Sequence, residues 1–261
     1  MTAETAESTT KPLAGKTAVI TGSSRGVGAD TAVLLAEQGA NVVVNYRQKA
    51  PRANKVVQKI EDAGGRGIAV GADLTASEDV DALMAAAVDT FGSLDILVLN
   101  ASGGMESGMG EDYAMRLNRD AQLQALRAGA ERMTTGGRIV FVTSHQAHFI
   151  HEVETMPEYE AVARSKRAGE DAITEEIPTL SDKGIDLVIV SGDMIEGTVT
   201  ATLLNRAQPG ALEARREAAG KLYSVAEFAA EVARMASADV PTGHVELVGG
   251  AEDFLAQTTE D

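Results

Sequence analysis

Continuous apolar, β-branched runs alternate with amphipathic stretches of helical length along most of the chain. Continuous runs of this kind are typical of strands buried on both faces of a parallel sheet. They lie at Lys16–Thr21, Asn41–Tyr46, Gly67–Val70, Leu94–Leu99, Arg138–Thr143, Asp186–Val190 and His244–Val248. The pattern predicts an α/β fold: a doubly wound sheet of seven parallel strands, flanked by helices.

Two segments break this alternation, and both follow the carboxyl end of a predicted strand. Ser102–Gly110 is rich in glycine and methionine and predicts a loop. Residues 193–221 form a long helical excursion between the sixth and seventh strands, which we interpret as a substrate lid or as plain solvated helices. Open α/β sheets bind ligands beyond this edge. No linker is evident, so residues 12–261 are predicted to be one domain behind a disordered tail, residues 1–11.

The composition excludes several classes of function. The 261 residues contain no cysteine, which excludes disulfides, a thiolate nucleophile and cysteine-ligated metals. The formal charge of −16 argues against nucleic acid or an anionic membrane as partner. No apolar run is long enough to span a membrane, and Met1–Lys11 lacks the features of a secretory signal. We therefore expect a cytoplasmic protein.

A glycine-rich turn, Thr21–Gly28 (TGSSRGVG), leaves the first strand and opens the first helix. Such a turn gathers backbone N–H groups and the positive end of a helix, where a dinucleotide pyrophosphate binds. It predicts a Rossmann-like cofactor site. The second strand ends Asn45-Tyr46-Arg47, without the acid that usually holds the ribose 2′-hydroxyl of NAD. Arg25 and Arg47 would instead hold a 2′-phosphate, unless both are ordinary surface residues, and the predicted cofactor is NADP(H).

Seven short motifs or residues occur in a fixed order along the chain: TGSSRGVG, Asp73, Leu99–Gly104 (LNASGG), Asn118, Val142–Ser144, Lys166 and Val248–Gly250. In this order they resemble the motifs of the short-chain dehydrogenase/reductase family. The resemblance implies a homotetramer and a cofactor site that uses further residues. The full predicted set of cofactor contacts is Gly22, Ser24, Arg25, Gly26, Val27, Gly28, Tyr46, Arg47, Asp73, Leu74, Asn100, Ala101, Ser102, Lys166, Gly192, Ile195 and Thr198.

The sequence departs from the family at the tyrosine that usually stands four residues before the lysine. Val162 occupies that position, and Tyr159 lies seven residues before Lys166. This Tyr-x6-Lys spacing resembles the enoyl-acyl-carrier-protein reductases that keep an intact TGxxxGxG turn. Seven residues are nearly two helical turns, so Tyr159 and Lys166 share one face of a helix. Tyr159 would stabilise the enolate of an enoyl thioester, or it merely packs at the start of the helix.

Two more catalytic residues follow from the resemblance. Ser144 is predicted to orient a substrate carbonyl, unless it only ends its strand, and Asn118 is assigned by position alone. Asp73 is expected to bind the adenine edge or to cap a helix. His145, His148 and His151 recur at intervals of three, but this spacing drifts around a helix and we predict no metal site. His148 remains an alternative proton donor, and Phe149 is interpreted as a substrate wall or as core.

Three functions stay open at this point. The first is NADPH-dependent reduction of an enoyl thioester or a similar conjugated carbonyl. The second is reduction of a 3-oxoacyl or secondary-metabolite ketone, with Ser144 and either Tyr159 or a histidine. The third is a degenerate protein that binds NADP(H) without hydride transfer. The substrate is a small molecule or an acyl thioester. Arg206, Arg215 and Arg216 would contact an acidic carrier or a phosphopantetheine, unless they lie on plain solvated helix faces.

Overall fold

The computed structural model describes residues 11–105 and 112–258 of the chain. Seven parallel strands form one sheet with the order β3-β2-β1-β4-β5-β6-β7. The strands are β1 (Thr17–Ile20), β2 (Asn41–Tyr46), β3 (Arg66–Gly71), β4 (Ile96–Leu99), β5 (Arg138–Ser144), β6 (Asp186–Gly192) and β7 (His244–Val248). The predicted single doubly wound α/β domain is confirmed. Most of the predicted Ser102–Gly110 loop and of the predicted tail lies outside the described residues.

Helices connect the strands on both faces of the sheet. They are α1 (Gly26–Glu37), α2 (Ala50–Asp62), α3 (Ser77–Phe91), α4 (Tyr113–Met115), α5 (Ala121–Ala130), α6 (His145–His148), α7 (Glu160–Thr174), α8 (Ile177–Asp182), α9 (Val199–Ala207), α10 (Ala211–Ala219), α11 (Val225–Met235) and α12 (Ala251–Thr258). One π-helical turn, Arg116–Asp120, joins α4 to α5. The sequence pattern predicts a single helix over Asp112–Met133, where the structure has α4, the π-helical turn and α5, and it does not predict α6 or α12.

Successive side chains of each strand enter opposite halves of the core. Ala18 and Ile20 of β1 pack with α1, α2 and α11, whereas Val19 packs with the layer formed by α3, α5 and α7. This alternation follows from the two-residue period of a strand. Both layers supply apolar side chains, so the strand sequences carry no polar alternation.

The strand order reverses between β1 and β4, where crossovers leave the sheet in opposite directions. At this point a crevice opens beyond the carboxyl ends of the strands, which is the ligand position in folds of this type. The glycine-rich turn after β1, the segment after β4 and the end of β5 all lie at this edge. The sheet topology therefore gathers most of the predicted site residues.

Candidate active site

The turn after β1 is held by hydrogen bonds from a neighbouring strand. The hydroxyl of Ser23 donates to the Ile20 carbonyl (2.7 Å) and accepts from the Asn45 backbone N–H (3.0 Å). The Gly22 N–H donates to the Asn45 side-chain oxygen (2.9 Å), and Gly22 has a φ of +63°. The buried side chains of Ser23, in the turn, and Asn45, near the end of β2, hold this backbone and were not among the predicted site residues.

The geometry of this turn fits a dinucleotide. At Gly26, with φ +59°, a Cβ atom would meet nothing within 4 Å, so the turn faces open space. At Gly28 a Cβ would lie 2.5 Å from the Asn100 amide nitrogen, so only glycine allows this approach. The first turn of α1 has no side-chain cap and no acidic residue. Its N–H groups are therefore left for an anion such as a pyrophosphate.

The predicted adenosine end is built around Arg47 and Asp73. An Arg47 nitrogen donates to the Tyr113 hydroxyl (2.5 Å), and the guanidinium carbon lies 5.7 Å from the centre of that ring. Asp73 accepts from the N–H and hydroxyl of Thr75 (3.0 and 2.8 Å). Burial raises the pKa of Asp73, but these bonds, together with the charges of Arg47 and Arg116, bring it below the usual value. Because α3 begins at Ser77, Asp73 orders the preceding turn and does not cap the helix.

Several of the other predicted cofactor residues have structural contacts. Leu74 is buried in the core, and the Tyr46 ring packs against Gly71. The side-chain nitrogen of Asn100 donates to the Thr21 carbonyl (3.0 Å), and the Ala101 N–H donates to the Thr21 hydroxyl (3.0 Å). These two bonds fasten the end of β4 to the end of β1 and fix the floor of the crevice.

A cleft of about 160 Å³ lies beyond β4, β5 and β6. Its lining joins predicted catalytic and cofactor residues to side chains of the segment after β6. The lining residues are Val27, Asn100, Ser102, Val142, Thr143, Ser144, Gln146, Tyr159, Lys166, Gly192, Asp193, Met194, Ile195, Thr198, Thr200, Ala201, Leu204 and Phe228. The structure thus brings Ser144, Tyr159 and Lys166 together.

Tyr159 and Ser144 meet at this cleft. The Tyr159 hydroxyl lies 3.5 Å from the Ser144 hydroxyl, and the tyrosine is 6% exposed. Burial raises the pKa of Tyr159 because it disfavours the phenolate, and the hydrogen bond with Ser144 opposes this shift. The phenol therefore keeps its proton at neutral pH and has it available for a nearby acceptor.

Lys166 lies on the same helical face as Tyr159 and is also buried. Burial lowers its pKa to about 8, while the negative charge of Glu170 opposes the shift. Val162 points elsewhere, because it packs against Gly104 and lines a separate small depression with Arg25. The spacing of seven residues is therefore what places a phenol beside the lysine in this cleft.

Asn118 lies in the π-helical turn and does not line the cleft. Its side-chain oxygen accepts from the Gly103 N–H (3.1 Å), and its nitrogen donates to the Gly103 carbonyl (2.8 Å) and to the Ser165 hydroxyl (2.9 Å). It thus joins the segment after β4 to α7. A π-helical turn at such a position is a common feature of functional sites.

Comparisons with known proteins agree with this architecture. Residues 16–208 match the protein family described as short chain dehydrogenase. The chain belongs to this family. As a short-chain dehydrogenase it is an oxidoreductase, and its fold is one that binds a nicotinamide cofactor.

Two similar relatives are fungal reductases. Versicolorin reductase 1 of Dothistroma septosporum is 33% identical over 204 residues, which cover 76% of each chain. The hydroxynaphthalene reductase-like protein Arp2 of Metarhizium majus is 38% identical over 170 residues, covering 63% of this chain and 62% of its own.

Solved structures include two informative neighbours. The short chain dehydrogenase of Burkholderia cenocepacia in complex with NADP superposes with a TM-score of 0.77 at 29% identity, covering 92% of this chain and 98% of that one. LugOII, a promiscuous reductase that catalyses keto-reduction at C1 during lugdunomycin biosynthesis, has a TM-score of 0.75 at 27% identity, covering 90% and 97%.

The three histidines that follow β5, His145, His148 and His151, have separate environments. His145 is fully buried, with its ring nitrogens bonded to the Ser191 hydroxyl (2.8 Å) and the Gly249 carbonyl (2.7 Å). His148 contacts Glu170 and does not line the cleft, and His151 is exposed. Among residues 11–105 and 112–258 no group of side chains could hold a metal ion. Phe149 stacks on Phe254 in a small apolar cluster and does not line the cleft.

The segment after β6 contributes to the lining of the cleft. Ile195 and Thr198 line it, and the Thr198 hydroxyl caps α9 by accepting from the Ala201 N–H (3.1 Å). Arg215 of α10 pairs with Asp193 (2.8 Å), which sequence analysis did not predict. No helix in the described part of the chain is long and apolar enough to cross a membrane.

Proposed function

We propose that this short-chain dehydrogenase is an NADPH-dependent carbonyl reductase acting on ketones of the secondary-metabolite kind. The observation that carries the proposal is the pair of hydroxyls of Ser144 and Tyr159, 3.5 Å apart at the cleft. Two donors this close can both reach one substrate oxygen. The names of the relatives, which include versicolorin and hydroxynaphthalene reductases, support a ketone on an aromatic ring system.

The site residues would divide the work as follows. Bound NADPH would supply the hydride that adds to the carbonyl carbon. Ser144 would orient the carbonyl oxygen, and Tyr159 would give that oxygen the proton which completes the alcohol. The ammonium of Lys166 would stabilise the phenolate left on Tyr159, because opposite charges attract strongly in a buried site.

NADP(H) is favoured over NAD(H) by the charges at the end of β2. β2 ends at Tyr46 and Arg47 follows it, with no acid at either position. Arg47 and Arg116 both lie close enough to act on the charge of Asp73, and Arg25 lies in the turn after β1. Guanidinium groups suit a 2′-phosphate. The NADP complex of the Burkholderia cenocepacia neighbour supports this choice.

A second candidate is reduction of an enoyl thioester, and the seven-residue spacing between Tyr159 and Lys166 favours it. In that reaction the hydride goes to the β-carbon and the phenol stabilises a more distant oxygen. A catalytically degenerate NADP(H)-binding protein is a third. Carrier-bound substrates, a homotetramer and a cytoplasmic location remain predictions, and sedimentation tests the oligomer.

Purified protein given NADPH and a set of substrates separates these functions. We expect NADPH oxidation with a hydroxylated naphthalenone or tetralone, and little with crotonyl or 3-oxoacyl thioesters. Turnover confined to crotonyl thioester would contradict the proposal in favour of enoyl reduction. Tight NADPH binding without any turnover would favour the degenerate protein. Replacing NADPH by NADH tests the choice of cofactor, and equal rates would contradict it.

A further inference from the structure

A carboxylate is buried one helical turn beyond Lys166. The side chain of Glu170 is only 4% exposed, although it belongs to α7, whose outer face is polar. Residues four apart on a helix are neighbours on one face, so α7 places Glu170 one turn beyond Lys166 on the same face. The direct ion pairs of Glu170 are with His148 and Arg167. A buried carboxylate is costly unless it is paired.

Glu170 is fixed from a second element. One of its oxygens lies 2.5 Å from Nδ1 of His148, which is partly exposed on α6. Arg167 donates to the His148 carbonyl (2.8 Å) and lies 3.4 Å from the same Glu170 oxygen. The other oxygen is buried and has no hydrogen-bond partner among the described residues.

The remaining charged and titratable groups on elements packed against α7 are engaged elsewhere. They form the pairs Arg119–Asp120, Arg127–Glu176, Arg138–Asp186 and Arg47–Tyr113, Arg116 acts on Asp73, and His145 bonds Ser191 and Gly249. On α7 itself, Asp171 pairs with Arg167. Within the described part of the chain, the charged or titratable groups that contact Glu170 are His148 and Arg167, and Lys166 is its neighbour one turn earlier on the helix.

We infer that Glu170, held in place by His148, is the buried counter-ion that keeps Lys166 protonated, and so sets the upper pH limit of the site. It acts through Lys166 and is a positioning residue. The inference concerns the site of the proposed reductase and rests on that function only for its effect on turnover. The charge state of Lys166 is measurable without any substrate.

The physical reason is the competition between burial and charge. Burial lowers the pKa of Lys166 to about 8, and Glu170 is the group that opposes this shift. Without that negative charge, burial acts alone and the lysine loses its proton within the neutral range. A neutral amine cannot stabilise a phenolate on Tyr159. Without Glu170, the pH above which reduction fails would therefore be lower.

The test uses the full chain labelled with ¹³C at the lysine Cε, whose chemical shift reports the protonation of Nζ. The chain has eight lysines, and Lys166→Arg assigns the signal of interest. We expect the Lys166 titration midpoint of Glu170→Gln to lie about one pH unit below that of the wild type, since one unit corresponds to the interaction of a nearby charge. The Lys166 midpoint of Glu170→Asp should lie between those of the wild type and Glu170→Gln.

Glu160→Gln is the matched control, because it makes the same change on the same helix at a carboxylate that pairs with Arg164. Its Lys166 midpoint should equal that of the wild type. Glu170→Met provides a second neutral variant if Glu170→Gln does not fold. A Lys166 midpoint that is the same in the wild type and in a folded neutral variant would overturn the inference.

Turnover gives a separate reading of the same variants. The rate is measured against pH with a ketone that the protein reduces. In Glu170→Gln the alkaline limb of this profile should move to lower pH by the same amount as the Lys166 midpoint measured by NMR. A limb that stays in place while the midpoint moves would overturn the pH-limiting role. Absence of turnover with every carbonyl would contradict the proposed reaction, whereas the lysine titration still decides whether Glu170 is the counter-ion.

Discussion

The position of a single phenol decides what this site can do. Val162 stands where a tyrosine would lie one turn from Lys166, and it packs against Gly104 instead of entering the cleft. Tyr159, two turns away, supplies the hydroxyl and meets Ser144. This pair of hydroxyls is what the proposed carbonyl reductase requires, and the longer spacing from the lysine is what the second candidate, enoyl reduction, requires.

Tyr159→Phe tests the proton donor directly. The substitution keeps the ring and removes the proton, so kcat should fall by about 10²-fold or more, as for other lost general acids. NADPH affinity, followed by nucleotide fluorescence, should stay within about twofold. Turnover that survives in Tyr159→Phe and disappears in His148→Gln would instead assign the proton to the histidine.

At the scale of elements, the helices meet where glycine allows close approach. A Cβ at Gly169 of α7 would lie 2.0 Å from the Asn118 carbonyl oxygen. The π-helical turn therefore rests directly on α7, one residue before Glu170 and three after Lys166. Sequence analysis identified Asn118 but predicted a regular helix. One extra residue in a π-helical turn hardly changes the spacing of the apolar residues, so the sequence pattern does not indicate it.

Gly169→Ala should separate these two elements. Alanine in an open helix normally stabilises by about 1 kcal/mol relative to glycine, but here the added methyl group meets backbone. We expect a net loss of roughly 2 kcal/mol in the free energy of unfolding, measured in urea, as is common for overpacking. A variant as stable as the wild type would show that the two elements do not touch as described.

One arginine fastens the segment after β6 to the rest of the fold. Arg215 of α10 pairs with Asp193 (2.8 Å) and Asp253 (3.0 Å) and donates to the Gly250 carbonyl (2.9 Å). Burial raises the pKa of Asp193, and the charge of Arg215 works against that shift. This link joins the segment that lines the cleft to the end of β6 and to α12.

Arg215→Met should destabilise the protein by about 3 kcal/mol at neutral pH, because it leaves a buried carboxylate unpaired. The loss should shrink as the pH falls through the raised pKa of Asp193, since protonation removes the unpaired charge. Thermal unfolding of Arg215→Met and of the double variant with Asp193→Asn measures the coupling. Equal losses in both variants at pH 7 would contradict an energetic role for the pair.

For the whole molecule, the sequence was sufficient to predict the architecture and insufficient to predict much of the site's support. Apolar runs buried on both faces predict a parallel sheet, and the glycine turn and Lys166 locate the crevice. The pairs Asn45 with Gly22 and Glu170 with His148 lie more than twenty residues apart. Such contacts arise only when the sheet order and helix packing are fixed, so no local pattern indicates them.

His145 makes the stability of the fold depend on pH, through contacts at the carboxyl ends of β5, β6 and β7. It ties the end of β5 to β6 through Ser191 and to the loop after β7 through Gly249. Burial, the largest cause, lowers its pKa from 6.5 to about 4. The unfolded chain therefore binds the proton first, and stability from this group is complete above about pH 6.5 and is lost progressively down to about pH 4.

Between these limits the loss should reach about 3 kcal/mol, at about 1.4 kcal/mol for each pKa unit. We expect urea unfolding of the wild type to show a steeper decline from pH 6.5 to 4.5 than that of His145→Gln, which starts less stable at pH 7 because two buried hydrogen bonds are altered. His151→Gln, a change at an exposed ring, should give a curve parallel to the wild type. If the His145→Gln curve is also parallel, the neutral buried histidine does not limit the acid stability of this fold. If the curves of the wild type and His145→Gln converge in acid, protonation of His145 limits the acid stability of the fold. The sensitive group then lies beside Ser144, at the edge of the sheet that carries the cleft.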